Sequence, residues 1–158
     1  MNCNMSQYED KLRKYITYNN IEAELLTFNQ STHSVAEAAA AVGADSEDFV
    51  KSICMIRSEG MLIVAIVKGE DRASTSRVAK ALGIERPRIA EPDEMHEKSG
   101  YPAGGTPAFG YTAVFLMDPK VLEKPKVYSG GGSEQALILM SPEEMRRANG
   151  AVVARVRS

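Results

Sequence analysis

Histidine and cysteine are scarce in this chain of 158 residues, which contains two of each and no tryptophan. His33 and His96 lie far apart, and neither has a second histidine or a cysteine at the spacing of a metal site. Cys54 falls in an apolar segment and Cys3 near a polar terminus, so a structural disulfide is not expected. The scarcity argues against a zinc site and a disulfide scaffold, and we expect no metal and no cofactor.

Long apolar runs and an excess of basic charge are also missing. No stretch approaches the roughly 20 apolar residues that cross a bilayer, and the polar segment 1–10 lacks the apolar core of a signal peptide. The formal net charge is −2 and the pI about 5.8, whereas domains that bind nucleic acid broadly through charge are usually basic. We therefore predict a cytoplasmic protein with no membrane partner, and recognition of a nucleic-acid end stays open.

Familiar catalytic and nucleotide-binding motifs are absent from the sequence as well. There is no Gly-x-Ser-x-Gly elbow of a serine hydrolase, no Walker-type Gly-Lys-Ser/Thr and no dinucleotide-binding glycine fingerprint. The carboxylates are scattered over predicted helix surfaces. If the protein is an enzyme, its sequence does not reveal a nucleophile, a base or a metal of its own.

What the chain does contain is a regular succession of helix and strand signals, including capping boxes, glycine stops and alternating apolar runs. Helices are predicted over residues 6–19, 34–42, 74–82, 92–98 and 141–149. Strands are predicted over residues 24–28, 51–57, 61–67, 113–117, 126–128, 136–140 and 151–156, with a short one at Ile89. Strands often follow each other directly, which favours a mixed or largely antiparallel sheet. With no repeat or long linker, residues 1–158 are predicted to form one α/β domain, in which residues 1–5 are a frayed tail.

The segment 100–110 reads Gly-Tyr-Pro-Ala-Gly-Gly-Thr-Pro-Ala-Phe-Gly and holds four glycines and two prolines. Glycine permits strained backbone conformations and proline removes an N–H donor, so the segment is neither a regular helix nor a central strand. Glycines would also let a ligand approach backbone N–H groups, which suits a carbonyl or a phosphate. A plain surface connection is the alternative.

Lys51 stands at the start of the first strand of a predicted hairpin. A lysine at a strand end is usually solvated. A lysine that faces a cleft is a compact charge that can hold a carbonyl or stabilise developing negative charge. The residue alone leaves both interpretations open.

Three motifs occur in an order and at separations that resemble one family: Val50-Lys51-Ser52-Ile53, the glycine segment 100–110, and Val127-Tyr128-Ser129-Gly130-Gly131. With the polar segment Thr32–Glu37 before a helix, they resemble the YbaK/prolyl-tRNA synthetase-associated editing domain family over nearly the whole chain. The resemblance implies a compact α/β fold with a mixed, barrel-like sheet flanked by helices. It also implies a free-standing deacylase that hydrolyses the ester joining a wrong amino acid to the 3′-terminal adenosine of a tRNA, and so maintains translation fidelity.

The resemblance assigns roles to particular residues. It implies that Lys51 is the catalytic lysine, that the glycine segment binds the substrate carbonyl and that the second glycine turn lies beside the pocket. The implied substrate-binding residues are Gly104, Gly105, Thr106, Pro107, Ser129, Gly130 and Gly131, with His33 as a further candidate. Family chemistry relies on the substrate itself, for example on the ribose 2′-hydroxyl to position water, which agrees with the missing nucleophile.

Three positions depart from the family pattern. Ala108 stands where many members have proline, Tyr111 where many have histidine, and only Glu134 supplies a carboxylate near the second glycine turn. One methylene of pocket size is worth only about 1–3 kcal/mol, so small changes switch substrates. Alanyl, cysteinyl, seryl, threonyl and prolyl esters all remain open.

Two other functions remain open from the sequence. One is a non-catalytic module that binds a nucleotide, an aminoacyl end or a synthetase, and the other is hydrolysis of a different small ester or amide. The predicted partner is the 3′ aminoacyl-adenosine end of a mischarged tRNA, with an aminoacyl-tRNA synthetase as a second candidate. Basic residues within 68–88 and 146–157 either contact tRNA phosphates or are ordinary surface charge. Convergence of Lys51 and Gly104 on one cleft would favour the enzyme.

Overall fold

The computed structural model describes residues 3–32 and 34–158, with the backbone alone for residues 3–6. The helices in this part of the chain are α1 (Cys3–Tyr18), α2 (Val35–Val42), α3 (Thr75–Leu82), α4 (Pro92–Ser99) and α5 (Pro142–Asn149). The strands are β1 (Ala23–Thr27), β2 (Val50–Ile56), β3 (Leu62–Lys68), β4 (Arg88–Ile89), β5 (Val114–Met117), β6 (Val127–Gly130), β7 (Ala136–Met140) and β8 (Val152–Val153). Short 3₁₀ turns cover Ser46–Asp48, Ala103–Gly105 and Pro119–Glu123.

The two termini compare with the predictions as follows. Helix α1 begins at Cys3, so the backbone of residues 3–5 is helical, and fraying of residues 1–5 stays a prediction. No glycine or proline interrupts the segment there, so nothing in it stops the helix. The last strand, predicted over residues 151–156, is only the pair Val152–Val153, because the chain then leaves the sheet and the Val156 and Arg157 N–H groups donate to Asp118.

The strands form two sheets rather than the single barrel-like sheet that was expected. Strands β1, β7 and β6 make an antiparallel sheet in the order β1-β7-β6. The second sheet has the order β4-β2-β3-β5-β8, in which β4-β2-β3 are antiparallel and β3-β5-β8 are parallel. The sheets meet at a bridge between Phe49 and Tyr128, whose stacked rings lie 4.9 Å apart. Beyond this bridge no further pair joins β2 to β6 in the described residues, so the sheets do not close; the mixed α/β fold itself is confirmed.

The main core lies between the two sheets. Alternate residues of β2, among them Val50 and Cys54, face Val127 of β6 and Ile138 of β7, and α1 closes the layer with Leu12. Helix α3 covers the opposite face of the five-stranded sheet. Its buried Val78 packs in one cluster with sheet residues Met55, Ile63, Val67 and Leu116. No helix in the described part of the chain is long and apolar enough to span a bilayer.

Capping fixes the helix ends that border the glycine segment and the start of β2. The Ser34 hydroxyl accepts from the Glu37 N–H and so begins α2 as the capping box predicted. Helix α4 ends at Gly100, whose φ of 82° is in the left-handed region that favours glycine. Helix α2 packs on the outside of the sheets, where buried Ala38 contacts Phe49 and Leu137.

Candidate functional site

A cavity of about 250 Å³ lies where β2, α2, the 3₁₀ turn Ala103–Gly105 and strands β6 and β7 come together. Its walls mix apolar side chains, hydroxyls and one lysine. The lining residues are Thr32, Ser34, Val35, Ala38, Phe49, Val50, Lys51, Ser52, Ile53, Met95, Ala103, Gly104, Thr106, Ser129, Gly130, Ala136 and Leu137.

The four consecutive residues Val50–Ile53 line the cavity because this part of β2 is an open strand edge. Strand β4 pairs only with Met55 and Ile56, and the Cys54 carbonyl accepts from the Ala90 N–H at 2.9 Å on that side. Peptide groups alternate between the two edges of a strand, so the N–H and C=O of Ser52 face the same edge, where β4 does not reach. The cavity therefore borders main-chain donors and acceptors as well as side chains.

Lys51 is partly buried at this edge. Burial lowers the pKa of its ammonium group from the ordinary 10.5, the negative charge of Asp71 raises it, and the positive charge of Arg72 lowers it further. No hydrogen bond or ion pair joins the Lys51 ammonium group to another residue that the structure describes. The ammonium group thus has donors to spare for a bound molecule.

The glycine segment contributes Gly104 and Thr106 to the cavity, whereas Gly105 has a packing role. The Gly105 N–H already donates to the Pro102 carbonyl at 3.0 Å, and its own carbonyl accepts from the Gly132 N–H at 2.7 Å. A Cβ atom at Gly105 would collide with the backbone of Ser133. The Gly105 N–H is thus engaged within the turn, and backbone from the second turn packs beside its Cα atom, while a substrate-binding role for this glycine stays a prediction.

The second glycine turn, at Ser129–Gly131, packs directly against the glycine segment 100–110. A Cβ atom at Gly130 would collide with the Thr106 carbonyl, and one at Gly131 would lie 2.5 Å from the Ala136 carbonyl carbon. Ser129 and Gly130 line the cavity, while Gly131 is buried away from it. Two segments that are distant in sequence thus form one rigid wall.

The structure brings most of the predicted site residues together. Those that line the cavity are Lys51, Gly104, Thr106, Ser129 and Gly130. Those that do not line it are Gly105, Pro107 and Gly131. Pro107 is buried, and its carbonyl accepts from the Tyr111 hydroxyl at 2.6 Å, which holds the segment in place. His33 lies outside the described residues.

Sequence reasoning missed Ser52 and the wall formed by α2 and β7. Ser52 gave a signal, since it is a polar residue at an inward position of a strand whose alternate residues, Val50 and Cys54, are core. For the α2 wall, Val35 was signalled only through the segment Thr32–Glu37 of the resemblance. Ala38 gave no signal, because a small apolar residue on a short helix usually indicates core packing alone.

The predicted basic patches carry less free charge than the sequence suggests. Lys68 is only 5% exposed and pairs with Glu70 at 3.4 Å. Further pairs neutralise other members of the patches: Arg88 with Glu94, Arg147 with Glu144, Arg146 with Glu143, and Arg157 with Asp118. Lys68 is therefore not available to contact tRNA phosphates.

Comparison with known proteins gives a consistent assignment. Residues 29–148 match the model of the aminoacyl-tRNA editing domain. The chain is 25% identical over 136 residues to the uncharacterized protein YwhH of Bacillus subtilis (strain 168), covering 85% of this chain and 86% of that one.

Solved structures agree with the family match. The hypothetical protein APE2540 is 33% identical, with a TM-score of 0.86 over 94% of this chain and 99% of its own. A "putative trans-editing enzyme for prolyl tRNA synthetase" is 27% identical, with a TM-score of 0.87 over 96% of this chain and 97% of its own. The fold, the cavity at the motif residues and the family match together identify the chain as a member of the YbaK-like aminoacyl-tRNA editing domain family.

Proposed function

We propose that the protein is a free-standing aminoacyl-tRNA deacylase that removes a wrong amino acid from the 3′ end of a tRNA. The observation that carries the proposal is that Lys51, Gly104 and Thr106, distant in sequence, line one cavity together with the turn at Ser129 and Gly130. Membership of the editing family and the similarity to a protein named for trans-editing support the same activity.

The proposed reaction is hydrolysis of the ester by water. Water adds to the carbonyl carbon, and the carbonyl oxygen gains negative charge. The bond to the ribose 3′ oxygen then breaks and that oxygen takes a proton, which leaves a free amino acid and an intact tRNA. The ribose 2′-hydroxyl orients the water, so the protein needs no nucleophile of its own.

The protein's part is to position the ester and to stabilise the charge on the carbonyl oxygen. The backbone N–H groups of Gly104 and Thr106 are the proposed donors, since the Gly105 N–H is already bound. The Lys51 ammonium group, which pairs with no described residue, supplies positive charge in a partly desolvated place where it acts strongly.

The test is release of amino acids from tRNAs mischarged with Ala, Cys, Ser, Thr and Pro. Removing one group that stabilises an oxyanion costs about 10²–10³ in rate, and we expect a loss of this order for Lys51→Ala. Lys14→Ala, which removes an exposed lysine of α1, is the matched control and should keep the wild-type rate.

The alternatives give different results in the same assay. Release that is equally fast with Lys51→Ala, in a protein that melts like the wild type, would remove Lys51 from the mechanism. No release from any tRNA would leave a module that binds the aminoacyl end without cleaving it. A cytoplasmic location and association with a synthetase remain predictions.

A further inference from the structure

Two buried hydroxyl groups in the cavity wall have no hydrogen-bond partner. The Oγ atoms of Ser52 and Ser129 are both inaccessible to solvent, and neither bonds to any described residue. Ser129 is only 2% exposed. Buried polar groups are nearly always paired, so two unpaired hydroxyls in one cavity indicate a site that a ligand completes.

Strand geometry directs both hydroxyls to the same space. Ser52 lies on the face of β2 that also carries Val50 and Cys54, and Ser129 on the face of β6 that carries Val127. Those three apolar residues belong to the core between the sheets, and the cavity is the part of that space that side chains do not fill. Each serine therefore lies on the face of its strand that borders this space, and both line the cavity.

The charges around the cavity limit what the serines can bind. None of the described residues that line it is acidic, and Lys51 is cationic. A basic side chain on the amino acid would meet a like charge and no counter-ion among these lining residues, which is unfavourable in a partly buried place. The hydroxyl pair suits a neutral group that both donates and accepts, and another hydroxyl does so.

We infer that Ser52 and Ser129 select an aminoacyl group with a hydroxyl side chain, so that seryl and threonyl esters are the preferred substrates. This inference rests on the proposed function and names its substrate class. A seryl or threonyl hydroxyl pairs with both serines. An alanyl or prolyl side chain leaves them unpaired, and such a loss lowers the rate by about 10-fold or more.

The experiment compares kcat/KM for one tRNA charged in turn with Ser, Thr, Ala and Pro. The wild type is expected to release serine and threonine about 10-fold or more faster than alanine and proline. Ser52→Ala and Ser129→Ala should lower serine release more than alanine release and so reduce the Ser/Ala ratio towards one. Ser52→Thr, which keeps the hydroxyl, should retain the preference.

Controls separate this inference from the proposed function. Ser58→Ala, in the exposed turn between β2 and β3, should leave the Ser/Ala ratio unchanged, and thermal melting confirms that each variant is folded. Lysine-dependent release of alanine or proline as fast as serine would overturn the inference and leave the deacylase proposal intact. A Ser/Ala ratio unaffected by both alanine variants would also overturn it. No release of any amino acid would overturn both.

Discussion

Two buried polar sites in this molecule differ in whether the chain itself supplies their hydrogen-bond partners. Asp118 is 1% exposed, and its carboxylate accepts hydrogen bonds from the backbone N–H groups of Lys120, Val156 and Arg157 and from the Arg157 guanidinium group. The Oγ atoms of Ser52 and Ser129 are buried in the cavity wall and have no hydrogen-bond partner among the described residues. The chain satisfies the first site itself, so it serves the fold, whereas we infer that a bound molecule completes the second.

Among the changes that test this comparison, Asp118→Ala is expected to have the largest effect on stability. Breaking a buried, paired charge costs about 3–5 kcal/mol, and the C-terminal segment would lose its anchor on the sheet. Denaturant unfolding should show a loss of this size in the free energy of unfolding. Deacylation per folded molecule should stay at the wild-type rate, and a drop comparable to that of Lys51→Ala would mean that the two sites are not independent.

A smaller effect is expected in the acid dependence of stability. Burial opposes ionisation of Asp118, but its hydrogen bonds from Lys120, Arg157 and Val156 outweigh burial and lower its pKa below the ordinary 3.8. The stability it contributes is therefore complete above that value and is lost as the pH falls through the lower folded pKa. The difference in unfolding free energy between wild type and Asp118→Ala should shrink over this acid range. A difference that is constant with pH would assign the stabilisation to packing instead.

The smallest effect on stability is expected from the cavity serines. Ser52→Ala and Ser129→Ala remove hydroxyls that have no partner, so no hydrogen bond is lost and the cost of burying an unpaired group is relieved. The free energy of unfolding should stay the same or rise by up to about 1 kcal/mol. A loss well beyond that size in either variant would show that the hydroxyl already has a structural role.

The sequence was sufficient for features that depend on local pattern. The hairpin of β2 and β3 was predicted within a residue or two, because its apolar runs and glycine turn are short-range signals. Lys51, Gly104 and Ser129 could be named only because the motif order resembles a family. Their meeting at one cavity depends on the contact between the start of β2 and β6, which no local pattern shows.

Other features depend on contacts between distant segments. In the sequence Gly105 suggests a flexible position. In the structure a glycine is required there because the backbone of Ser133 packs against it. Lys68 reads as surface charge but is buried at the end of β3 beside Glu70. The open edge of β2 at Ser52 arises because β4 is only two residues long, and strand length is among the least certain features of a sequence-based prediction.

The central claim is that the cavity receives the aminoacyl group and that its unpaired groups are paired there. The most direct test is a crystal structure with an adenosine that carries serine through a non-hydrolysable 3′-amide. We predict that the serine part lies in the cavity, with its carbonyl oxygen at the Gly104 and Thr106 N–H groups and its hydroxyl between Ser52 and Ser129. Binding of the analogue elsewhere, or an empty cavity at a saturating concentration, would contradict the account.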